Sequence, residues 1–464
     1  MINQKNFKYI YNEIKENKYD FGTGSWAVVN DKVKMNFNQF GEYVSSINSS
    51  EIEELSQSEI ESLRKTSMLL SDENESDIAE ELFSEVPNIK YDNRLGYYSS
   101  LYVGHVLEGT YRENGSSGGF GTWLLKELLE KKIVDGVIHV KESNQENKLF
   151  EYGISNTIDE IIAGAKTKYY PVEYSEVLKK VLTTPGKYAI IGLPSYIMEL
   201  RLLAKENPLL KEKIKISIGL VCGHQKSTKF AEFLAWQCGI KPGNLKNINF
   251  RKKQNDEPSS SYAIEVTGII NGHEKTIIKK MSELKGGDWG QGFFKVRASD
   301  FTDDVMNETA DVTLGDAWLK EYVTDTKGNN ILIVRNPIVK SIIDEGIKNG
   351  IIKVNNVDSD TIFKSQEAHF RQTQDELKYR LYKKEKNEIW HPRKRVNSSN
   401  ELSWSRKRIQ DKREKICDKV PLIYEKAVKK DNINYFLRKS GLLSKEYGNI
   451  YRIKRICSKL GIRV

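Results

Sequence analysis

The sequence predicts an α/β protein built on a mixed sheet. Three observations carry that prediction. Short β-rich runs alternate with helical runs between about residues 95 and 345; a glycine turn leads into an amphipathic helix and then a strand; and beyond about 365 the chain turns basic and helical. Residues 1–90 open with short alternating stretches at 26–29 and 33–37, followed by acidic helical segments at 57–70 and 76–84. The core, 91–364, carries β-rich runs at 99–106, 137–140, 189–191, 216–221, 263–269 and 331–334. Helical patterns fall at 158–165, 175–182, 196–205 and 226–236. A polar loop at 254–261 and a turn at 323–330 punctuate the later part of the core, and 365–464 forms a basic helical extension.

Composition bounds the function. With 464 residues and 38% hydrophobic content, the chain can fill two or three domains. Four widely separated cysteines exclude a disulfide framework and fit a reducing cytoplasm. The start lacks a charged segment followed by an apolar one, and no window approaches about 18 uninterrupted apolar residues, so neither a signal peptide nor a membrane span is expected. Charge is uneven: residues 371–464 hold 27 Lys and Arg against 11 Asp and Glu, whereas the first 370 are net acidic. The basic blocks Arg393-Lys394-Arg395, Arg406-Lys407-Arg408 and Arg452-Ile453-Lys454-Arg455 alternate with aromatics such as Trp390, Trp404 and Tyr451. They form a solvated or docking face for the rest of the chain, or a peripheral contact with anionic lipid. Nucleic acid is disfavoured because no recognisable module frames the patch.

The run Asn114-Gly115-Ser116-Ser117-Gly118-Gly119-Phe120-Gly121-Thr122 is the most informative motif. A turn without side chains at the start of a helix lets backbone N–H groups and the positive helix end approach a phosphate. Its spacing is neither the dinucleotide fingerprint nor a Walker loop. The letters Gly115-x-Ser117-x-Gly119 match a hydrolase nucleophile elbow, but no clean buried strand precedes them. Asp303, Asp304, Asp311 and Asp316 make the densest acidic cluster; with the six histidines scattered, no metal is expected, and Asp316 is read as a helix cap or as ordering its Gly-Asp-Ala-Trp turn.

Several segments in order resemble the beta-subunit family of coenzyme F-420 hydrogenases and dehydrogenases. They are Ser117-Gly118-Gly119 with Thr122, Lys166-Thr167-Lys168-Tyr169-Tyr170-Pro171, Ile191-Gly192-Leu193-Pro194 followed by Leu200-Arg201, Gly219 to His224, Asn249 to Lys253, and Ala310 to Trp318. The resemblance implies an FAD-containing, iron–sulfur oxidoreductase with a ferredoxin-like N-terminal module. Three departures stand against the iron–sulfur part. The ferredoxin-like cysteine motif corresponds to Gly22 to Val28 without a cysteine, the second cluster motif reads Ser299-Asp300-Phe301-Thr302-Asp303-Asp304, and the cysteine after the motif proline is Ser195. Only Cys222 stands where a family cysteine would, and one thiolate cannot hold a four-iron cluster. The N-terminal region is therefore expected to be a degenerate ferredoxin-like segment, and no iron–sulfur cluster is expected. A cluster built from Cys222, Cys238, Cys417 and Cys457 would require distant segments to converge.

The resemblance thus implies FAD alone. Ser117, Gly118, Gly119 and Thr122 would meet the diphosphate, with Gly192 and Pro194 completing the cofactor contacts. Lys166 and Lys168 would bring positive charge to phosphate or to the flavin N1/O2 edge, where negative charge develops on reduction. Tyr169 and Tyr170 either stack on a cofactor ring or pack as the start of a strand. His224 either supplies the proton that accompanies hydride transfer or is a hydrogen-bonded structural histidine. The expected function is a cytoplasmic, membrane-peripheral flavin-dependent reductase that moves a hydride from a reduced two-electron donor to a small or lipid-linked, sugar-derived substrate in surface polysaccharide biosynthesis. The alternative is a catalytically degenerate member acting as a binding or assembly partner.

Overall fold

The structure is a computed structural model and describes residues 3–254 and 257–462. The main sheet takes β1 (Ser100–Val106), β2 (Gly136–Glu142), β3 (Phe150–Ser155), β4 (Tyr188–Gly192) and β5 (Ile214–Leu220). The chain then leaves it for a three-stranded antiparallel sheet of β6 (Leu245–Lys252), β7 (Ala263–Ile270) and β8 (His273–Lys280). It returns through β9 (Val312–Asp316), β10 (Asn330–Val334) and β11 (Ile352–Asn356). The order across the main sheet is β11-β1-β10-β9-β5-β4-β2-β3. β2, β4, β5 and β9 run parallel, and antiparallel strands flank them on both sides.

Strands covered on both faces read as continuous apolar runs, and Ile331 to Val334 of β10 are wholly buried. One face carries helix α1 (Phe120–Glu130), whose Trp123, Leu124 and Leu128 pack against Val137, Ala189, Ile216 and Leu332. The other carries α2 (Pro194–Glu206), which begins with Pro194 at its first position, where a missing N–H costs nothing. Helix α3 (Thr228–Gln237) follows β5. The mixed α/β architecture and the helical C-terminal region are those expected from the sequence.

The N-terminal region buries Phe7, Tyr11, Ile14, Tyr19 and Trp26 in one apolar cluster with Met198 and Leu202 of α2 and with Leu377 and Leu381 of α4 (Asp375–Lys386). Residues 34–37 form a strand, paired with Tyr43–Ser46. The stretch 26–29 does not. It lies in a short helix, Ser25–Val29, because the left-handed Gly24 turns the chain and buries the Trp26 indole, whose Nε1 donates to the Leu63 carbonyl at 2.7 Å. Part of the polar loop expected at 254–261, residues 255 and 256, lies outside the described residues. The C-terminal region ends in an antiparallel hairpin of α5 (Trp404–Lys429) and α6 (Ile433–Lys459). Tyr424 and Phe436 dock this hairpin on Phe233 and Phe294 in a tight aromatic cluster.

Candidate functional site

Parallel strands leave their carboxyl ends open to ligands where connections part on either side of the sheet. Here a cleft of about 300 Å³ opens at those ends of β4, β5 and β9. Ser117, Gly119, Thr122, Lys166, Lys168, Tyr169, Tyr170, Gly192 and His224, all singled out from the sequence, line it. Gly118 and Pro194 do not. A Cβ on Gly118 would sit 2.6 Å from the Gly104 carbonyl oxygen and 2.8 Å from Asn330 Oδ1, so this glycine lets the turn press onto β1 and β10.

The turn is held from several sides. Gly119 has φ +90°, a conformation natural to glycine, and caps α1. Ser117 Oγ donates to the Asn329 carbonyl at 2.7 Å, Lys253 Nζ donates to the Ser117 carbonyl at 2.9 Å, and Ser116 Oγ accepts from the Thr167 amide at 2.8 Å. The positive end of α1 thus has a fixed position at the cleft wall.

The titratable groups have distinct environments. Lys168 Nζ donates to the Gly164 and Ala165 carbonyls just past the short helix Ile158–Ala163, and burial pulls its pKa down to about 8. Its ammonium caps that helix end as well as facing the cleft. Tyr170 packs edge-on against Phe150 and its hydroxyl accepts from the Leu149 amide, at a bend from which no strand begins. Tyr169 instead stands at the cleft's boundary, 4.6 Å from the Trp289 ring, with its hydroxyl accepting from Arg251 at 3.3 Å. Asp316 caps no helix among the described residues. It ends β9 and pairs with the buried Arg251 guanidinium at 3.1 Å, holding that guanidinium over the Tyr262 ring. His224 lies 5.0 Å from Trp289; its Nε2 is buried without a partner among the described residues, and burial holds its pKa well below the ordinary range. The ring is therefore neutral at physiological pH.

Sequence reasoning missed Lys226. It reads as the polar first residue of a helical run, yet it is only 2% exposed and lines the cleft. Its Nζ donates to the Phe293 carbonyl at 2.8 Å and sits over the Trp289 and Phe230 rings, with no carboxylate in ion-pair range among the described residues. Burial pulls its pKa down to about 7. Unfolding restores an ordinary lysine, so the unfolded chain binds the extra proton and this group destabilises the fold from about pH 10 downward, fully below about 7. Lys226→Met is thus expected to raise the melting temperature of the ligand-free protein at pH 7, with the gain vanishing near pH 10, as scanning calorimetry at both pH values would show.

A second compartment of about 990 Å³ adjoins the first, sharing Tyr169, Val221, Cys222, His224 and Asp316. Trp289, Trp318, Tyr262 and Arg251 furnish much of its wall, and Ser440, Gly441 and Ser444 of α6 close one side. The C-terminal hairpin therefore belongs to the site.

Known proteins match this chain across its core. Residues 101–179 match the family described as coenzyme F-420 hydrogenase/dehydrogenase, beta subunit N-term, and residues 186–360 match the C terminus of the same beta subunit. The chain belongs to this family. An uncharacterized protein of Methanocaldococcus jannaschii is 26% identical over 247 residues, which are 52% of this chain and 82% of that protein. The F-420-dependent formate dehydrogenase subunit beta of the same organism is 25% identical over 238 residues, 51% of this chain and 56% of that subunit. Among solved structures, a chain of the xenon-derivatised F-420-reducing NiFe hydrogenase complex from Methanosarcina barkeri aligns over 67% of this chain and 99% of its own length, at 15% identity and a TM-score of 0.48.

The positions where the family resemblance implied cluster cysteines are filled by other chemistry. Gln225 bridges Ser195 and Ser299: its amide donates to Ser299 Oγ at 3.0 Å and its Nε2 to Ser195 Oγ at 3.4 Å. Thr23 of the N-terminal segment donates to buried Glu199. Asp300 pairs with Lys295, and Asp303 accepts from the Arg395 amide at 2.9 Å and pairs with Lys394. Burial pushes the Cys222 thiol up to about 11, and the other cysteines sit on or beside separate helices, α3, α5 and α6. Among the described residues no group of three or more His, Cys, Asp or Glu side chains is arranged to hold a metal ion.

Proposed function

We propose that this chain is a flavin-dependent reductase working without an iron–sulfur cluster. It passes a hydride from a reduced nicotinamide or deazaflavin to a small or lipid-linked, sugar-derived substrate, as a step in surface polysaccharide synthesis. The observation that supports this reading most is the pair of adjoining compartments with one shared wall. A planar cofactor in the smaller would face whatever fills the larger.

The residues present suit a flavin. The glycine turn and the start of α1 offer backbone donors to phosphate, while Lys166 and the acid-free Lys226 offer cations to the ring edge that gains negative charge. The orphan His224 Nε2 marks a polar atom that awaits a ligand. When bound, a flavin supplies a two-electron carrier that takes up hydride from one partner and releases it to another. Saturating a C=C or C=O bond needs one hydride and one proton. Neutral His224, at the shared wall, carries a ring N–H that can hydrogen-bond to the atom gaining negative charge, while the proton itself comes from solvent. On the substrate side Trp289, Trp318 and Tyr262 offer flat apolar faces beside the polar Asp288, Gln291 and Gln366, a lining suited to a polyhydroxylated ring.

The replaced cluster positions favour a second reading, an assembly subunit with no redox role. An absorption spectrum of anaerobically purified protein, with released flavin and iron assayed together, separates the two. Yellow protein with flavin and no iron is the expected result; colourless protein that ignores added FAD and FMN would overturn the reductase.

A further inference from the structure

The three basic blocks of the C-terminal region have different fates. Arg393-Lys394-Arg395 is drawn into the body, where Lys394 and Arg395 meet Asp303 and Glu308. From the second block Arg406 pairs with wholly buried Glu376, and farther along α5 Arg413 pairs with the same carboxylate. The third block is different. Arg452, Lys454, Arg455 and Lys459 on the last turns of α6 have no acidic partner in ion-pair range among the described residues, and no Asp or Glu follows Glu446 in the sequence.

The same turns expose apolar side chains. Ile453, Ile456, Leu460 and Ile462 are 44%, 58%, 69% and 52% exposed. The spacing 453, 456, 460 puts three of them on one face of the helix, one above another. Single exposed apolar residues need no explanation, but four within ten residues, framed by unpaired cations, make a basic amphipathic tip. An acidic protein groove would satisfy the cations alone equally well. A lipid surface satisfies both features at once, because headgroup charge meets the Lys and Arg while the isoleucines and leucine enter the acyl boundary.

We propose that the tip of α6 and the residues just past it, from Arg452 to Ile462, seat this protein on an anionic bilayer surface. No helix among the described residues is long and apolar enough to cross a membrane, so the contact is peripheral. The proposal is independent of the chemistry in the cleft, but it places the cleft. Ser444 lines the larger compartment and Ile453 begins the apolar stripe; nine residues of helix separate them by about 14 Å. A lipid-borne substrate would thus find the compartment close to the headgroups.

The test is co-sedimentation of the full chain with vesicles of neutral phosphatidylcholine alone or with about one-third phosphatidylglycerol, with a lipid-free control spun alongside. The wild type is expected to pellet with the anionic vesicles, to release as salt rises, and to ignore neutral ones. Neutralising Arg452, Lys454 and Arg455 together should weaken partitioning on the order of a hundredfold. Ile453→Asp with Ile456→Asp should weaken it as well, with unchanged circular dichroism because both side chains are exposed. Equal pelleting with neutral vesicles, none with anionic ones, or doubly substituted protein that binds like wild type would overturn the proposal. Concentration-dependent self-association without lipid that the double substitution abolishes, with vesicle binding absent, would assign the tip to a protein interface instead.

Discussion

Arg395→Met is expected to cost about 3–5 kcal/mol of stability, enough to leave much of the protein insoluble, because it strands buried carboxylates rather than deleting a surface charge. Arg395 donates to Glu308 at 2.8 Å and to Ser76 at 2.8 Å, and its guanidinium faces Glu75 and Asp303. Burial together with Glu308 already pushes the Asp304 carboxyl up to about 8. Removing the one arginine leaves these acids facing each other in a closed space. Lys is not an equivalent replacement, since it lacks the planar fork that reaches several acceptors at once. Urea unfolding of Arg395→Met, Arg395→Lys and wild type checks this; a loss below about 1 kcal/mol would mean that water reaches the network. Lowering the pH should narrow the gap between variant and wild type, because protonation of the carboxylates relieves the repulsion that the variant suffers most.

Gly119→Ala is expected to abolish flavin binding in the reductase reading, lowering affinity by about a hundredfold or more. The added methyl would lie 2.8 Å from the Arg112 nitrogen and from the Tyr111 carbonyl carbon and oxygen, all backbone atoms, in a conformation that L side chains rarely adopt. The turn must move, and with it the start of α1. Gly121→Ala is the matched control, also at the helix start, where a Cβ meets only Ile191 at 3.6 Å and Leu314 at 3.9 Å. Titration of both variants with FAD, followed by flavin fluorescence, reads the difference. If both lose affinity alike, the cleft is too crowded for any addition; if neither does, the glycine turn has no part in holding the cofactor.

The sheet's middle was legible because β4, β5 and β10 are dense apolar runs. The charged strands were not. β8 reads His-Glu-Lys-Thr-Ile-Ile-Lys-Lys and is a strand only because it pairs with β7 at the edge of the small sheet. In the site, local motifs brought out the glycine turn, the Lys166 to Tyr170 segment and His224, since each carries its signal in adjacent letters. Lys226 carries none, and Arg251, though inside the Asn249 to Lys253 motif, carries none for its role in the site. Their meaning arises from Tyr262 and, more than sixty residues away in sequence, from Trp289, Phe293 and Asp316. The basic tail shows the same limit from the other side. Its charge was plain, but which charges turn inward was decided by Glu75, Asp303, Glu308 and Glu376, whose burial no local pattern announces.

The place of β1 in the sheet has a consequence for how the protein is made. Ser100–Val106 is hydrogen-bonded on one side to β10 and on the other to β11, both more than 220 residues downstream. On a ribosome adding roughly 5–20 residues per second, that strand and the glycine turn behind it wait on the order of ten to fifty seconds for both neighbours. Until then Ser117 and Gly118 lack Asn329 and Asn330, so the glycine turn cannot take its final shape. In the reductase reading cofactor capture is consequently a late, post-translational event, and a nascent chain stalled before residue 330 should hold its exposed apolar strands for chaperones rather than for flavin.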